Sequence, residues 1–322
     1  MEMSVIVPCY NSMPILRELI VETIRVLEEM GIKEYEFILV NDGSPNPNTI
    51  GFLKSLAEEF HMVKVVNLAK NTGQSNAQLA ALNYTTGEYV VNMDDDMQTH
   101  PMNIPILYNK INEGYDVVLG SYTKKKHSFF RNMLTKMDNG FEEIFIGKPK
   151  GINFTSFWIT RRYIVDEIIK YKNPYSFMEG LFIRTAGKIA NVEIQHFERQ
   201  EGQSGYNLKK LIKLWSNFTG FTIIPLRIAN GLGIITGIVG VIYAIITVIK
   251  KILDPTMVIG YASTISLMLI FFGITLFCMG MLGEYVGRIF MCVNNTPQYV
   301  VQEVISFEND AEESNSKEER SK

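Results

Sequence analysis

Through residue 121, short runs rich in Val, Ile and Leu alternate with amphipathic helical stretches. The runs are MSVIVPCY, YEFILVND, VKVVNLAK, YVVNMD and DVVLGS. Between them lie PILRELIVETIRVLEEMG, NTIGFLKSLAEEF, GQSNAQLAALNYTTG and PMNIPILYNKINEG. Near-continuous apolar strands separated by helices predict βαβ units, and hence an α/β fold with a mostly parallel sheet covered on both faces. After that the rhythm loosens. FFRNMLTKMDNGFEEIF reads as a helix, INFTSFWITRR as a strand, and NVEIQHFERQ as a last strand before the glycine-punctuated EGQSGYN.

The pattern then changes in kind. Residues 228–249 contain no charge over 22 positions, and 257–283 are also uncharged. At about 1.5 Å per residue each is long enough for a hydrocarbon core of about 30 Å. They predict two transmembrane helices joined by KKILDPT, where Pro255 prevents continuation. A pair of buried helices in a soluble protein is the other reading. Ahead of them, LKKLIKLWSNFTGFT puts Leu208, Leu211, Ile212 and Trp215 on one face and lysines on the other. This predicts an interfacial amphipathic helix over 207–222, with an ordinary helix packed on the domain as the alternative. The tail ENDAEESNSKEERSK is charged and lacks large apolar residues, so disorder is expected from about residue 306. The expected organisation is a cytoplasmic catalytic domain over 1–206, the interfacial helix, a membrane domain over 223–289 and a cytoplasmic tail over 290–322.

Two spans return the chain to the side it left. That side carries Lys209, Lys210, Lys213, Arg227 and Arg288 near the membrane, against Lys250 and Lys251 in the turn. The excess predicts an inner (plasma) membrane protein with both termini cytoplasmic. Gly233 and Gly237 have the spacing that lets helices approach closely, so a homo-oligomer is a possible partnership.

Length and composition narrow the rest. A chain of 322 residues holds one domain of about 200 residues plus appendages, or two smaller ones. The net charge of −3 argues against a nucleic-acid binder. Cys9, Cys278 and Cys292 form no CxxC pair, which fits a reducing compartment and argues against a structural zinc site. MEMSVIVPCYNS lacks a basic region followed by a long apolar one, so no cleavable signal peptide is expected there.

Candidate chemistry lies at the ends of the runs. In open parallel sheets ligands gather beyond the carboxyl ends of the strands. Asn11, Asp42, Asn71 and the triplet Asp94, Asp95 and Asp96 follow four successive runs, which predicts a binding rim. In an extended segment Asp94 and Asp96 project to one side and Asp95 away. A hard cation such as Mg²⁺ takes one or two carboxylates plus substrate phosphates, with Gln98 as a further oxygen donor here.

Several motifs resemble those of the family 2 (GT-A) glycosyltransferases, and within them the polyprenyl-phosphate branch. They are VIVPCYN, VNDGS at 40–44, NTGQSNA at 71–77, MDDDMQ at 93–98, FFRNMLTK at 129–136, ERQEGQSGY at 198–206, IPLRI at 224–228 and MGMLGEYVGRI at 279–289. The resemblance implies a GT-A, Rossmann-like catalytic domain followed by the interfacial and transmembrane helices. It implies a nucleotide site formed by Pro8, Tyr10, Asn11, Asp42, Asn71, Gln74 and Asp94, with Asp42 accepting from the base. It implies Mg²⁺ or Mn²⁺ at Asp94, Asp96 and Gln98, with Asp96 also counted as catalytic. Arg131 and Thr135 would surround the acceptor phosphate, and Arg199, Ser204 and Tyr206 would belong to a closing loop. Three positions depart from the family pattern: Ser12, Lys124–Lys126 in place of an arginine, and Gly205 in place of a lysine.

The implied activity is inverting, metal-dependent transfer of a sugar from a UDP-, GDP- or dTDP-linked donor to a polyprenyl phosphate such as undecaprenyl phosphate. A membrane-anchored glycosyltransferase with another lipid acceptor, or a nucleotide-sugar-binding homologue without activity, is the competing reading. A processive polysaccharide synthase is disfavoured by two spans and the lack of a QxxRW motif.

Overall fold

Strand β1 (Met3–Cys9) is apolar at six of its seven positions and almost wholly buried, which places it near the middle of a sheet rather than at an edge. The computed structural model describes residues 1–11, 14–122, 143, 147–194, 222–254 and 260–306. Within them β1 is joined by β2 (Tyr35–Asn41), β3 (Val63–Leu68), β4 (Tyr89–Asn92), β5 (Val117–Tyr122), β6 (Trp158–Arg161), β7 (Ile189–Ile194) and β8 (Val301–Ile305). The spatial order is β7-β5-β6-β4-β1-β2-β3-β8. Strands β4, β1, β2 and β3 run parallel, as do β5 and β7, whereas β6 and β8 run antiparallel to their neighbours. The result is a mostly parallel mixed sheet of GT-A-like form.

The helices between the first strands are α1 (Ile15–Glu29), α2 (Pro47–Glu59), α3 (Gln74–Leu82) and α4 (Ile104–Asn112). The start of α2 is written in its sequence. Pro47 occupies the first turn of α2, and the Asn46 side chain caps the helix by accepting from the Asn48 N–H at 3.0 Å. Leu16, Leu19, Ile20 and Leu27 of α1 and Leu53, Leu56 and Ala57 of α2 join Val5, Val7, Phe37 and Leu39 in one apolar core. Two short helices, α5 (Arg162–Ile168) and α6 (Met178–Thr185), follow β6 and were not resolved as helices by the hydrophobic pattern.

Strand β8 corrects the reading of residues 290–322 as a tail. Residues 301–305 pair antiparallel with β3, and the stretch 1–206 plus 295–322 forms one unit. The alternation VQEVI was too short and too near the charged terminus to stand out as a strand. The helix expected in 129–145 and the interfacial helix over 207–221 lie outside the described residues, apart from the single helical Glu143.

The second unit, residues 207–294, holds α7 (Ile224–Leu253) and α8 (Tyr261–Val293). Ile224–Lys250 and Ile270–Val293, 27 and 24 residues, are long and apolar enough to cross a membrane. Ile234, Ile238, Val241, Phe272 and Leu276 are all more than half exposed. Core helices of a soluble protein would bury such residues, and a bilayer accounts for them. Glu284 and Arg288, near the end of the second segment, pair at 2.8 Å one turn apart, which lowers the cost of carrying both charges there. No described atom lies within 4 Å of a Cβ added at Gly233 or Gly237, so the hairpin itself does not use them for close approach.

Behind the rim, a buried carboxylate ties the strand starts together. Glu36 accepts from the Ser4 hydroxyl at 2.7 Å, the Thr86 N–H at 2.6 Å and the Thr86 hydroxyl at 2.8 Å, with the Lys64 ammonium at 3.8 Å. The Ser4 hydroxyl in turn accepts from the Gly87 N–H at 2.8 Å. Glu36→Ala orphans these donors and should cost about 2–4 kcal/mol. Thermal unfolding of the full chain in detergent should show Tm lowered by about 5–15 °C, and an unchanged Tm would mean that the network is not holding the strands.

Candidate functional site

The strand order reverses between β1 and β4: from β1 the chain works outward to β2 and β3 on one side, then returns to place β4 on the other. Such a switch point leaves a crevice beyond the carboxyl ends of the two strands, because the loops leave in opposite directions. Here the loops are Tyr10–Asn11 after β1 and Asp94–Asp96 after β4. The crevice is a cavity of about 420 Å³ whose lining includes Pro8, Tyr10, Asp42, Asn71, Gln74, Ser156 and all three aspartates. Of the residues expected at the nucleotide site, Pro8, Tyr10, Asp42, Asn71, Gln74 and Asp94 therefore meet in one place. Asn11 stands next to Tyr10, in the left-handed region at φ +57°.

Each wall has its own lock. Asp42, buried, accepts on Oδ1 from the Thr72 N–H at 2.7 Å and hydroxyl at 2.9 Å, and on Oδ2 from the Gly73 N–H at 2.9 Å. Its carboxylate thus clamps the loop after β3, and Oδ2 keeps a lone pair for a further donor. The clamp needs Gly43. At φ +57°, a Cβ there would sit 2.2 Å from the Lys70 carbonyl carbon and 2.3 Å from the Asn71 nitrogen.

The acidic loop is a turn rather than an extended segment, which corrects the expected alternation. Asp94 lies just past β4, Met97 takes φ +56°, and the Gln98 N–H caps Asp96 Oδ1 at 3.1 Å. Asp95 consequently also lines the crevice, where its Oδ2 accepts from the Tyr10 N–H at 3.2 Å and joins the two loops across the switch point. Asp94 accepts from the Gln74 amide at 2.8 Å and from the Ser156 hydroxyl. Burial pushes the Asp94 carboxyl above its ordinary pKa. The Ser156 hydrogen bond opposes this, and the charges of Asp96 and Asp95 add to the rise. Three carboxylates with one half-desolvated make a strongly negative crevice whose natural counterpart is a cation. The donor set, all hard oxygen, suits a divalent ion. Among the described residues no three His, Cys, Asp or Glu side chains close a cage on their own.

Ser156 was missed by sequence reasoning. The signal was present in NFTSFW: β6 runs antiparallel, so its amino end lies at the same rim as the carboxyl ends of its neighbours. The Asn92 amide at the end of β4 donates to the Ser156 carbonyl and fixes it there. A smaller cavity of about 90 Å³, bordered by Trp158, Phe177 and Glu179, shares Gln74 and Ser156 with the main one. Arg131, Thr135, Arg199, Ser204 and Tyr206, with Ser12, Lys124–Lys126 and Gly205, lie outside the described residues.

An acid-lined crevice at the switch point of a mostly parallel sheet is where α/β proteins of this form bind ligands, and the chain's family narrows the class. Residues 4–169 match Glycosyl transferase family 2, and residues 224–289 match the GtrB C-terminal hairpin. The chain belongs to glycosyl transferase family 2 and is a glycosyltransferase with a GtrB-type hairpin. Glucosyl-3-phosphoglycerate synthase from Mycobacterium tuberculosis, solved with phosphoglyceric acid, is 17% identical, with 69% of this chain and 80% of that chain covered and a TM-score of 0.50. The same synthase with Mn²⁺, UDP and phosphoglyceric acid gives 18% identity, 66% and 74% coverage and a TM-score of 0.48. S. aureus TarS 1–349 gives 20% identity and a TM-score of 0.41. The match covers 60% of this chain and spans 58% of that one.

Gly43→Ala tests the clamp. The added Cβ must push the 70–73 loop away from Asp42, so amide exchange at Thr72 and Gly73 should accelerate by at least about tenfold. Unchanged exchange would show that the loop holds without the glycine.

Proposed function

We propose that this protein transfers a sugar from a nucleotide sugar to a polyprenyl phosphate such as undecaprenyl phosphate, with inversion at the anomeric carbon and with a divalent metal. The observation that carries the reading is the pairing, in one chain, of an acid-lined switch-point crevice with a GtrB-type membrane hairpin. The crevice suits a soluble, diphosphate-bearing donor, and the hairpin suits an acceptor that lives in the bilayer.

The chain's own residues divide the work as follows. Pro8, Tyr10 and Asn71 line the nucleotide pocket, and Asp42 holds its loop closed while offering a lone pair to the base. Helix α3 begins at the crevice wall with Gln74, so its dipole favours the diphosphate there. Asp94 and Asp96 would hold Mg²⁺ or Mn²⁺, aided by an oxygen of Gln98. When bound, that ion neutralises charge on the leaving diphosphate. Gln74 and Ser156 orient Asp94 for this role.

A lipid monophosphate is already anionic near neutral pH and needs no strong general base. One of its oxygens attacks the anomeric carbon, the new C–O bond forms, and the old C–O bond breaks with its electron pair leaving on the nucleoside diphosphate. Arg131 and Arg199, with Thr135 and Ser204, are assigned to the two phosphate groups by electrostatic attraction and positioning. Both termini and the catalytic unit lie on the cytoplasmic side in this reading.

Membranes containing the protein, incubated with UDP-, GDP- and dTDP-sugars and undecaprenyl phosphate, should release nucleoside diphosphate and form a glycosylated lipid only without chelator. Release without lipid product would point to another acceptor, and binding without release to an inactive homologue. Asp96→Asn should lower turnover by at least about 100-fold while membrane insertion is kept. Unchanged turnover would remove the metal role from Asp96.

A further inference from the structure

Asn11, next to the crevice-lining Tyr10, is connected to the strand that follows the membrane hairpin by an unbroken chain of hydrogen bonds through side chains. The Asn11 N–H donates to the Ser44 hydroxyl oxygen at 3.0 Å. The Ser44 hydroxyl and N–H both donate to Asn41 Oδ1, at 2.6 and 3.3 Å. The Asn41 amide donates to Asn67 Oδ1 at 2.8 Å, and the Asn67 amide donates to Gln302 Oε1 at 3.3 Å. Asn41 and Asn67 are buried register partners at the ends of β2 and β3, and Asn67 faces Glu303 of β8.

Two features show that this chain does more than fill space. Buried amides cost free energy unless each is hydrogen-bonded, and Asn41 and Asn67 meet that demand through one another and through Ser44 and Gln302. The direction is uniform: the Asn41 and Asn67 amides both give an N–H toward β8 and accept from the crevice side. The end of the chain is also where order is most needed. Asn11 sits at φ +57°, a conformation that neighbouring contacts must hold. Next to it, the Tyr10 N–H makes the contact with Asp95 that joins the two catalytic loops.

The segment 298–303, which leads into β8, is itself pinned. The Gln298 amide donates to the Tyr171 and Asn173 carbonyls at 2.9 and 2.7 Å. The Asn83 amide donates to the Tyr299 hydroxyl at 3.0 Å, the Ala69 N–H to the Val300 carbonyl at 2.9 Å, and Lys54 pairs with Glu303 at 3.0 Å. These contacts give the relay a fixed far end.

We propose that β8 is a positioning element for donor binding, and that Asn41, Asn67 and Gln302 are positioning residues that set the Tyr10–Asn11 wall through Ser44. The chain returning from the membrane hairpin thereby completes the nucleotide-sugar site from behind. This rests on the reading of the crevice as that site.

The test uses the full chain in membranes or detergent and compares Asn67→Leu, Gln302→Leu and Gln302→Glu. Asn67→Leu should raise KM for the nucleotide sugar by about three- to tenfold with kcat within about twofold, and should speed amide exchange at Asn11 and Ser44. Gln302→Leu should move both readouts the same way by a smaller factor. Gln302→Glu keeps an acceptor for the Asn67 amide and should stay near wild type. A fall in Tm with KM and exchange unchanged would reduce the relay to a structural network and overturn the proposal. So would a Gln302→Glu variant as impaired as Gln302→Leu. Should Asn67→Leu fail to fold, the Gln302 pair decides alone, because that side chain is exposed. Wild-type protein without turnover on any nucleotide sugar would overturn the functional reading only, and the exchange comparison would still decide the relay.

Discussion

Like charges held together in a half-buried crevice are unfavourable until something of opposite charge joins them. Asp94, Asp95 and Asp96 are held in place by the strand before them and by donors around them, among them Gln74, Ser156, the Tyr10 N–H and the Gln98 N–H. A fold has little reason to concentrate carboxylates at its switch point for stability, since each added charge pushes the Asp94 pKa upward. The arrangement is explained by what it attracts. In the function proposed above, a divalent ion and a diphosphate would bring two charges that complement each other and the loop, and the donors at the rim would hold the loop in reach of them.

The scaffold meets this demand by rigid parts. A four-strand parallel core sets the two loops side by side, Asp42 and Gly43 clamp the third, and the antiparallel β6 delivers Ser156 from the far side. The edge of the core is finished by β8, which arrives only after the membrane hairpin has been made. Anchor and catalytic unit are thus consecutive in the chain without being independent in the fold: the sheet lacks its last strand until the hairpin has been passed.

Much of this was legible beforehand. The five Val/Ile/Leu runs became β1 to β5 with ends shifted by one or two residues, because burial on both faces keeps them mostly apolar, with few polar residues to blur the pattern. The uncharged segment 228–249 became α7, lengthened at both ends, and 257–283 became α8, which starts at Tyr261 and runs on to Val293 past the paired Glu284 and Arg288. Of the four polar strand tails, Asp42, Asn71 and the aspartates line one crevice, and Asn11 adjoins it beside Tyr10. The failures share a cause: they depended on long-range geometry. Asp95 was set aside on the assumption of an extended loop, and the turn at Met97 reversed that. Ser156 was hidden because only an antiparallel strand brings its amino end to the rim. Strand β8 is a five-residue segment with one exposed face, and it has meaning only beside β3. The expected base contact of Asp42 gave no hint that the same carboxylate clamps Thr72 and Gly73.

The central claim is most directly tested by anomalous scattering from Mn²⁺ in the protein bound to a nucleoside diphosphate. The account predicts a peak between the diphosphate and the carboxylates of Asp94 and Asp96. Nucleotide bound in the crevice with no peak beside the acidic loop would contradict it.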